Sequence, residues 1–256
     1  MSPTTTMSFA EQGLQQFLTR SEARKPLSDC ARDAFLALEA EELEYSPHDQ
    51  IAGEHERPER CHLVVEGVVS QNKTLANGHR QIMSFHFAGE FVDLHACHLL
   101  NNGHGIHAHT AVKLITLDCD RVSELAENSS EWAQAMWFDT LVDAGIFREW
   151  TLNVGRKTAV QRIAHLLLEF GSRLKAIGLS DGSTYDIPVT QADLADAVGL
   201  SSVHTNRSLQ TLRREGLIRS VGRSLFIEKR KELERLASFD PGYLNPRIVT
   251  RVAANA

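Results

Sequence analysis

Cysteine is scarce in this 256-residue chain: Cys30, Cys61, Cys97 and Cys119 stand alone, at intervals of 31, 36 and 22 residues. No Cys-x-x-Cys pair occurs, so the usual spacings of a zinc ribbon or an iron–sulfur cluster are missing. A disulfide framework is not expected in a cytosolic chain of this size, and the thiols are expected to be buried and inert. No apolar run approaches the roughly eighteen residues of a transmembrane helix, and no membrane partner is expected. The segment Met1 to Gln16 has no basic stretch followed by an apolar core, so a secretory signal is not expected and the expected location is the cytoplasm. No Ser/His/Asp triad, phosphate-cradling glycine loop or carboxylate pair stands out. Enzymatic turnover is therefore not expected, and no catalytic residue is nominated.

What is present suits a globular protein of two domains. Hydrophobic residues make up 42% and charged residues 23%, enough for a core in each. The net charge of −6 hides an asymmetry. Residues 1–155 carry 11 Lys+Arg against 23 Asp+Glu, a net of −12, whereas residues 156–256 carry 16 against 10, a net of +6. An acidic half joined to a basic half implies that only the second half meets a polyanion.

The texture changes along the chain. The first twenty residues are polar and read as frayed or as a short helix. Leu27 to Glu44 has helical spacing that stops before Pro47. From Gln50 to Leu117, short Val/Ile/Phe runs are broken by Gly and Asn, as in an antiparallel sandwich or barrel. Asn77-Gly78 signals a two-residue hairpin within it. Ser129 or Ser130 caps the next element, a long helix to about Gly155 that carries Trp132, Met136, Leu141, Phe147 and Trp150. Its apolar residues occupy more than one stripe, so it must be covered on both sides. Either a second copy of the helix covers it, which is the reading preferred here, or it lies between two domains of one chain. A helix over Lys157–Ile177 and a loop over Gly178–Tyr185 follow.

Val189–Arg219 is the most informative stretch. Thr190 and Asp193 resemble a capping box that opens a helix over Gln191–Val198. Gly199 supplies a tight turn, and Ser201 caps a second helix to about Glu215. Leu194, Val198, Leu200, Leu209 and Leu212 face inward, with small Ala195 at the helix crossing. This is a helix-turn-helix, whose second helix enters the major groove of double-stranded DNA. The strand pair in "IRSVGRSLFIE" forms a wing with Val221, Gly222 and Arg223 near its tip. Thr190, Gln191 and Ser201 begin the two helices and are expected at the DNA. Ser202, Val203, His204, Asn206, Arg207 and Gln210 form the solvent face. Arg207 has the geometry to bond guanine O6 and N7, Asn206 or Gln210 to read adenine, and Val203 to meet a thymine methyl. Arg213, Arg214 and Arg223 suit phosphates.

These residues resemble the Crp/Fnr family of bacterial regulators over roughly residues 27–235. "LVVEGVVSQNKTLANGHRQIMSFHFAGEFVDL" is similar to the family's cupin-like double-stranded β-helix, and "VTQADLADAVGLSSVHTNRSLQTLRREGLI" to its winged helix-turn-helix. The resemblance implies an α+β protein divided into an N-terminal extension (1–26), a β-roll sensor (27–128), a dimerisation helix (129–155), a DNA-binding domain (156–240) and a C-terminal tail (241–256). It further implies a homodimer on a palindromic operator, RNA polymerase as a partner, and an effector pocket at Gly89, Glu90, Phe91, Asp93 and His95. Arg207 falls where family members carry an arginine that reads guanine. Asp93-Leu94-His95 and Asn102-Gly103 replace the Gly-Glu-Leu turn and Arg-Ser pair that hold cyclic AMP in members that bind it. Tight cyclic-nucleotide binding is therefore not expected. A regulator with no effector at all fits the altered pocket equally well.

Five histidines, His95, His98, His104, His107 and His109, crowd into fifteen residues. With His107 and His109 on one face of a strand, a cupin-like metal- or haem-binding protein is the alternative. Lys113 and Leu114 stand where the first cupin motif wants a Glu, and the second motif's spacing is absent. No metal ligand is assigned and no cofactor is required.

Overall fold

The computed structural model describes residues 7–244. In chain order the elements are α1 (Phe9–Glu22), α2 (Asp29–Leu36), β1 (Ala40–Tyr45), β2 (Gln50–Ala52), β3 (Arg60–Glu66), β4 (Val69–Thr74), β5 (Arg80–His86), β6 (Gly105–Ala108), β7 (Val112–Asp118), α3 (Cys119–Asn128), α4 (Ser130–Arg156), α5 (Ala159–Ala176), β8 (Thr184–Asp186), α6 (Gln191–Val198), α7 (Ser202–Arg214), β9 (Ile218–Val221), β10 (Ser224–Ile227) and α8 (Arg230–Ala237). Two antiparallel sheets, β1-β7-β3 and β2-β6-β4-β5, form the N-terminal β sandwich, and a third, β8-β10-β9, belongs to the C-terminal domain. The fold is thus α+β.

The start of the chain takes the helical one of its two sequence readings, but with more buried than a polar stretch implies. Residues 9–22 form a regular helix opened by a capping box, in which Ser8 Oγ accepts from Glu11 N and Glu11 accepts from Ser8 N. Leu14, Phe17 and Leu18 of α1 are buried against β3 and β7, so the stretch read as an extension is part of the core. The second expected helix is cut to Asp29–Leu36, because Ala40–Tyr45 pairs with β7 as a sheet strand. Pairing with β7 outweighs a helical spacing that local pattern alone cannot distinguish. The β4–β5 loop is also longer than expected. Leu75 N bonds His79 O and Gly78 N bonds Leu75 O, leaving three residues at the tip, with only Gly78 at positive φ (83°). The expected loop over 178–185 ends in strand β8, where Tyr185 is buried and pairs with Leu225. The tail beyond Leu244 lies outside the described residues, while Pro241–Leu244 forms a turn against α4.

Helix α4 runs 27 residues, capped by Ser129 whose Oγ accepts from Trp132 N. At about 1.5 Å per residue it spans roughly 40 Å and touches both domains. Trp132 is fully buried, its indole N–H donating to Ala31 O at 2.7 Å and its ring 4.3 Å from that of Phe35. Trp150, at the other end, packs edge-on to Phe85 and donates to Glu169 Oε2 at 3.0 Å. These two, with buried Met136, are covered by the chain's own α1, α2, β5 and α5, and are unavailable to a partner subunit. The exposed apolar side chains of α4 are Trp137, Leu141, Phe147 and Leu152. Of the five residues expected at a dimer face, only Leu141 and Phe147 remain on the surface.

A buried charge network ties the layers together. Glu90 is ion-paired with Arg173 of α5 and lies 3.3 Å from Arg20 of α1. Arg173 also donates to Phe85 O (2.6 Å) and to Glu169 Oε1 (3.2 Å), and Arg24 lies 3.5 Å from Asp139 of α4. Burial opposes ionisation of Glu90, but Arg173 and then Arg20 pull its carboxyl down to about 2. Removing one partner strands the other charge, so Glu90→Gln is expected to cost about 3–5 kcal/mol, with the double variant Glu90→Gln/Arg173→Met recovering part of it. Urea denaturation of the four forms checks this, and additive losses would refute the coupling.

Two buried histidines set the acid limit. Burial lowers His86 from its ordinary 6.5 to about 3. Burial, and then Lys157, does the same to His165. Both are neutral in the folded chain, so the unfolded chain takes up more protons below pH 6.5 and stability falls through that window towards pH 3. Moving from pH 7 to pH 5 is expected to remove up to about 2 kcal/mol per histidine. A urea midpoint unchanged between these pH values would contradict the assignment.

Candidate nucleic-acid interface

The basic half folds around α5, whose inward face buries Ile163, Ala164, Leu167, Leu168, Phe170 and Leu174. Helices α6 and α7 lie across it. Thr190 and Asp193 form the expected capping box: Asp193 N donates to Thr190 Oγ1 (3.1 Å), and Thr190 N and Oγ1 donate to Asp193 Oδ2 (3.0 and 2.6 Å). Gly199 adopts φ 62°, ψ 44°, a left-handed conformation that ends α6 and lets Leu200 N reach Ala195 O at 3.0 Å. Ser201 Oγ then accepts from His204 N and starts α7. Leu194, Ala195, Val198, Leu209 and Leu212 are buried together with Leu200 half-buried beside them, which fixes the crossing of the two helices. Strands β9 and β10 pair from Val221↔Ser224 to Ile218↔Ile227 and leave Gly222-Arg223 at the tip, Gly222 with φ 60°.

On this frame Ser201, Ser202, Val203, His204, Asn206, Arg207, Gln210 and Arg213 are exposed along one side of α7, with Arg223 exposed on the wing. Thr205 and Ser208, between them in sequence, are buried, and Ser208 Oγ donates to His204 O. The outer face thus offers two cations (Arg207 and Arg213), two amides, hydroxyls and a methyl-bearing side chain, the chemistry needed to meet base edges and phosphates. Arg219, exposed on β9, is held by Glu228 (2.7 Å) and stacks over Phe226 at 3.8 Å, so it is already engaged.

The β-sandwich side contributes residues that the sequence did not nominate for this interface. Arg80 of β5 reaches Asp193 Oδ1 at 2.5 Å and Asp196 Oδ2 at 2.9 Å. Gln81 Nε2 donates to Ala197 O (3.1 Å), and His109 Nδ1 lies 3.3 Å from Asp193 Oδ2. Burial opposes ionisation of Asp193, yet His109 and Thr190 hold its carboxyl well below the usual range. Between the two domains lies a cleft of about 500 Å³ lined on one side by His48, His109 and Thr110. Thr190, Gln191, Arg213 and Arg223 line the other side, so four of the expected DNA contacts face the β-sandwich domain. A long-range pairing of this kind leaves no local signal; only the reversal of charge between Arg80 and the acidic α6 hinted at it.

The expected effector residues are mostly structural. Gly89 O accepts from Arg20, Glu90 joins the buried network, and Phe91 packs on Phe17 with ring centroids 4.7 Å apart. Asp93 is fully buried, accepting from His62 N (2.7 Å) and paired with His62 Nδ1 (2.9 Å). Of the five, His95 lines a cavity of about 300 Å³ beside α3 and α4. His107 and His109 do not form a joint site: His107 Nδ1 bonds Asn72, while His109 Nε2 bonds Ser70.

The fold and this face define a winged helix-turn-helix DNA-binding protein with an N-terminal β-sandwich domain. Residues 161–236 match the family model described as the Crp-like helix-turn-helix domain. The chain is 28% identical over 163 residues to the transcriptional activator protein FnrL of Cereibacter sphaeroides, covering 62% of this chain and 65% of FnrL. It is 26% identical over 195 residues to the nitrogen fixation regulation protein FixK of Azorhizobium caulinodans, covering 76% and 78%. The solved structure of FixK2 from Bradyrhizobium japonicum superposes with a TM-score of 0.73 at 27% identity, covering 79% of this chain and 100% of that one. Residues 161–236 thus form a Crp-like helix-turn-helix domain, and the chain as a whole is similar to DNA-binding transcriptional regulators of the Crp/Fnr type. No helix among the described residues is long and apolar enough to cross a membrane.

Arg80→Ala is expected to lower stability by about 1–2 kcal/mol, and Asp193→Ala by more, because it removes the helix cap as well as the interdomain pair. Denaturation midpoints test the order, and a reversed order would show that Arg80 acts elsewhere.

Proposed function

We propose that the protein works in the cytoplasm as a homodimer, setting one α7 in each of two successive major grooves of a palindromic operator. The single observation that carries this reading is the exposed, capped α7 with Arg207 flanked by Asn206 and Gln210. The exposed stripe of Trp137, Leu141, Phe147 and Leu152 on α4 supports pairing with a second copy, since a stripe of large apolar side chains stays in water at a cost. In this reading Arg207 reads a guanine, and Arg213 and Arg223 meet phosphates once the cleft beside Thr190 and Gln191 admits the DNA backbone. FnrL is named a transcriptional activator, which supports RNA polymerase as the protein partner. The β roll takes no cyclic AMP: Glu90 and Asp93 are committed to Arg173 and His62, and Asn102-Gly103 brings no cation to a cyclic phosphate. Cyclic AMP titrated into the protein is expected to give no binding heat, and micromolar affinity would overturn this point.

Arg207→Ala is expected to cost about 1–3 kcal/mol per half-site, concentrated at one G·C pair of the selected operator, while Arg223→Ala weakens all sequences alike and lowers the salt slope by about one. Operator selection followed by binding titrations at several salt concentrations checks both; a uniform loss for Arg207→Ala would make it a phosphate contact. Leu141→Glu is expected to convert a species of twice 28.5 kDa into one of 28.5 kDa by light scattering.

A further inference from the structure

Three of the four scattered cysteines meet in space. Cys61 lies near the start of β3, fully buried, opposite Leu117 in the sheet. Cys119 is the first residue of α3; its N–H bonds Glu59 O at 3.0 Å, which pins that helix start against the start of β3. Cys97 comes from the short 3-10 turn Leu94–His98 and is half-buried. The three sulfur atoms all lie within 4.8 Å of one another, and all three cysteines are free thiols.

Three soft donors converging from three separate elements, with no oxygen or nitrogen ligand among them, select a soft ion. Metal–sulfur bonds of about 2.3 Å place the sulfurs of a three- or four-coordinate site about 3.8–4.0 Å apart, so the observed cluster needs to contract by less than about 1 Å. The turn that carries Cys97 is short, and Cys97 lines the cavity of about 300 Å³ with His95, His98 and Met136, so an ion has a way in. The other two sulfurs sit on a sheet strand and a helix start. Cys119 at that helix start is placed where thiolate is favoured.

We propose that Cys61, Cys97 and Cys119 form a three-sulfur binding site for a soft, thiophilic ion of low coordination number, of which Cu(I) and As(III) are the type. Cu(I) binds with release of the thiol protons to solvent. Arsenous acid gives up three hydroxides, which leave as three waters with the three thiol protons, so neither case involves oxidation or reduction. The site stands independently of the DNA-binding reading, because none of its residues lies in the winged helix-turn-helix.

The test titrates the reduced full-length chain with Cu(I), with arsenite and with Zn(II), separately, reading stoichiometry by elemental analysis and thiolate-to-ion absorption in the ultraviolet. One Cu(I) or As(III) per chain is expected, with loss of three reactive thiols. Cys97→Ser, the least buried of the three and so the gentlest substitution, is expected to weaken binding at least tenfold, whereas Cys30→Ser leaves it unchanged. Circular dichroism of each variant confirms that it is folded. Binding of Zn(II) alone, binding that survives Cys97→Ser in the folded variant, or failure of both soft ions to bind the reduced chain would each overturn the proposal. So would a reduced chain that only forms a disulfide among these residues in air.

Discussion

The molecule depends on one buried ion pair, Glu90 with Arg173. Glu90 sits on the turn after β5 and Arg173 on α5 of the DNA-binding half, so the pair crosses the boundary between the acidic and basic parts of the chain. Arg20 of α1 approaches Glu90 and Asp139, and Arg24 joins at Asp139, while Arg173 continues through Glu169 to Trp150 and Tyr243. Each charge is expensive to bury alone and tolerable only with its partner in place. The network therefore admits one placement of α1, α4 and α5 around the β5 turn, and the apolar contacts of Phe85 and Phe87 with Phe170 fill in around it.

Because α5 is held in this way, α6 and α7, which pack on it, are held too. Arg80 and Gln81 extend the hold by gripping α6 directly, at its acidic side chains and at the carbonyl of Ala197. The same contacts that fix α7 in space turn Thr190, Gln191, Arg213 and Arg223 towards the β sandwich. Asp193 serves both functions, capping α6 and receiving Arg80, so helix start and domain docking share one carboxylate.

Residue patterns carried much of the fold on their own. The capping residues Thr190, Ser201 and Ser129, the glycine turn at Gly199 and the wing tip at Gly222 all sit where local chemistry put them, because a cap or a positive φ is decided within four or five residues. The Gly89–Phe91 turn shows the opposite case. Its similarity to a ligand-binding turn pointed to a pocket, but its carboxylate is spent on an arginine 83 residues away. Likewise α1 reads as polar until β3 and β7 supply the surface that buries Phe17 and Leu18. Trp132 and Trp150 look like candidates for a partner's surface until α2 and α5 cover them.

The sequence by itself determined the winged helix-turn-helix, the solvent-facing side of its second helix and the charge division between the halves, since each rests on short-range propensity or composition. Only the tertiary structure decided which apolar residues of α4 remain in water, which carboxylates are buried, and that Cys61, Cys97 and Cys119 converge. Those outcomes depend on contacts between residues tens of positions apart, and the free energy that selects among them, burial of apolar area and of paired charge, exists only once the chain has closed on itself.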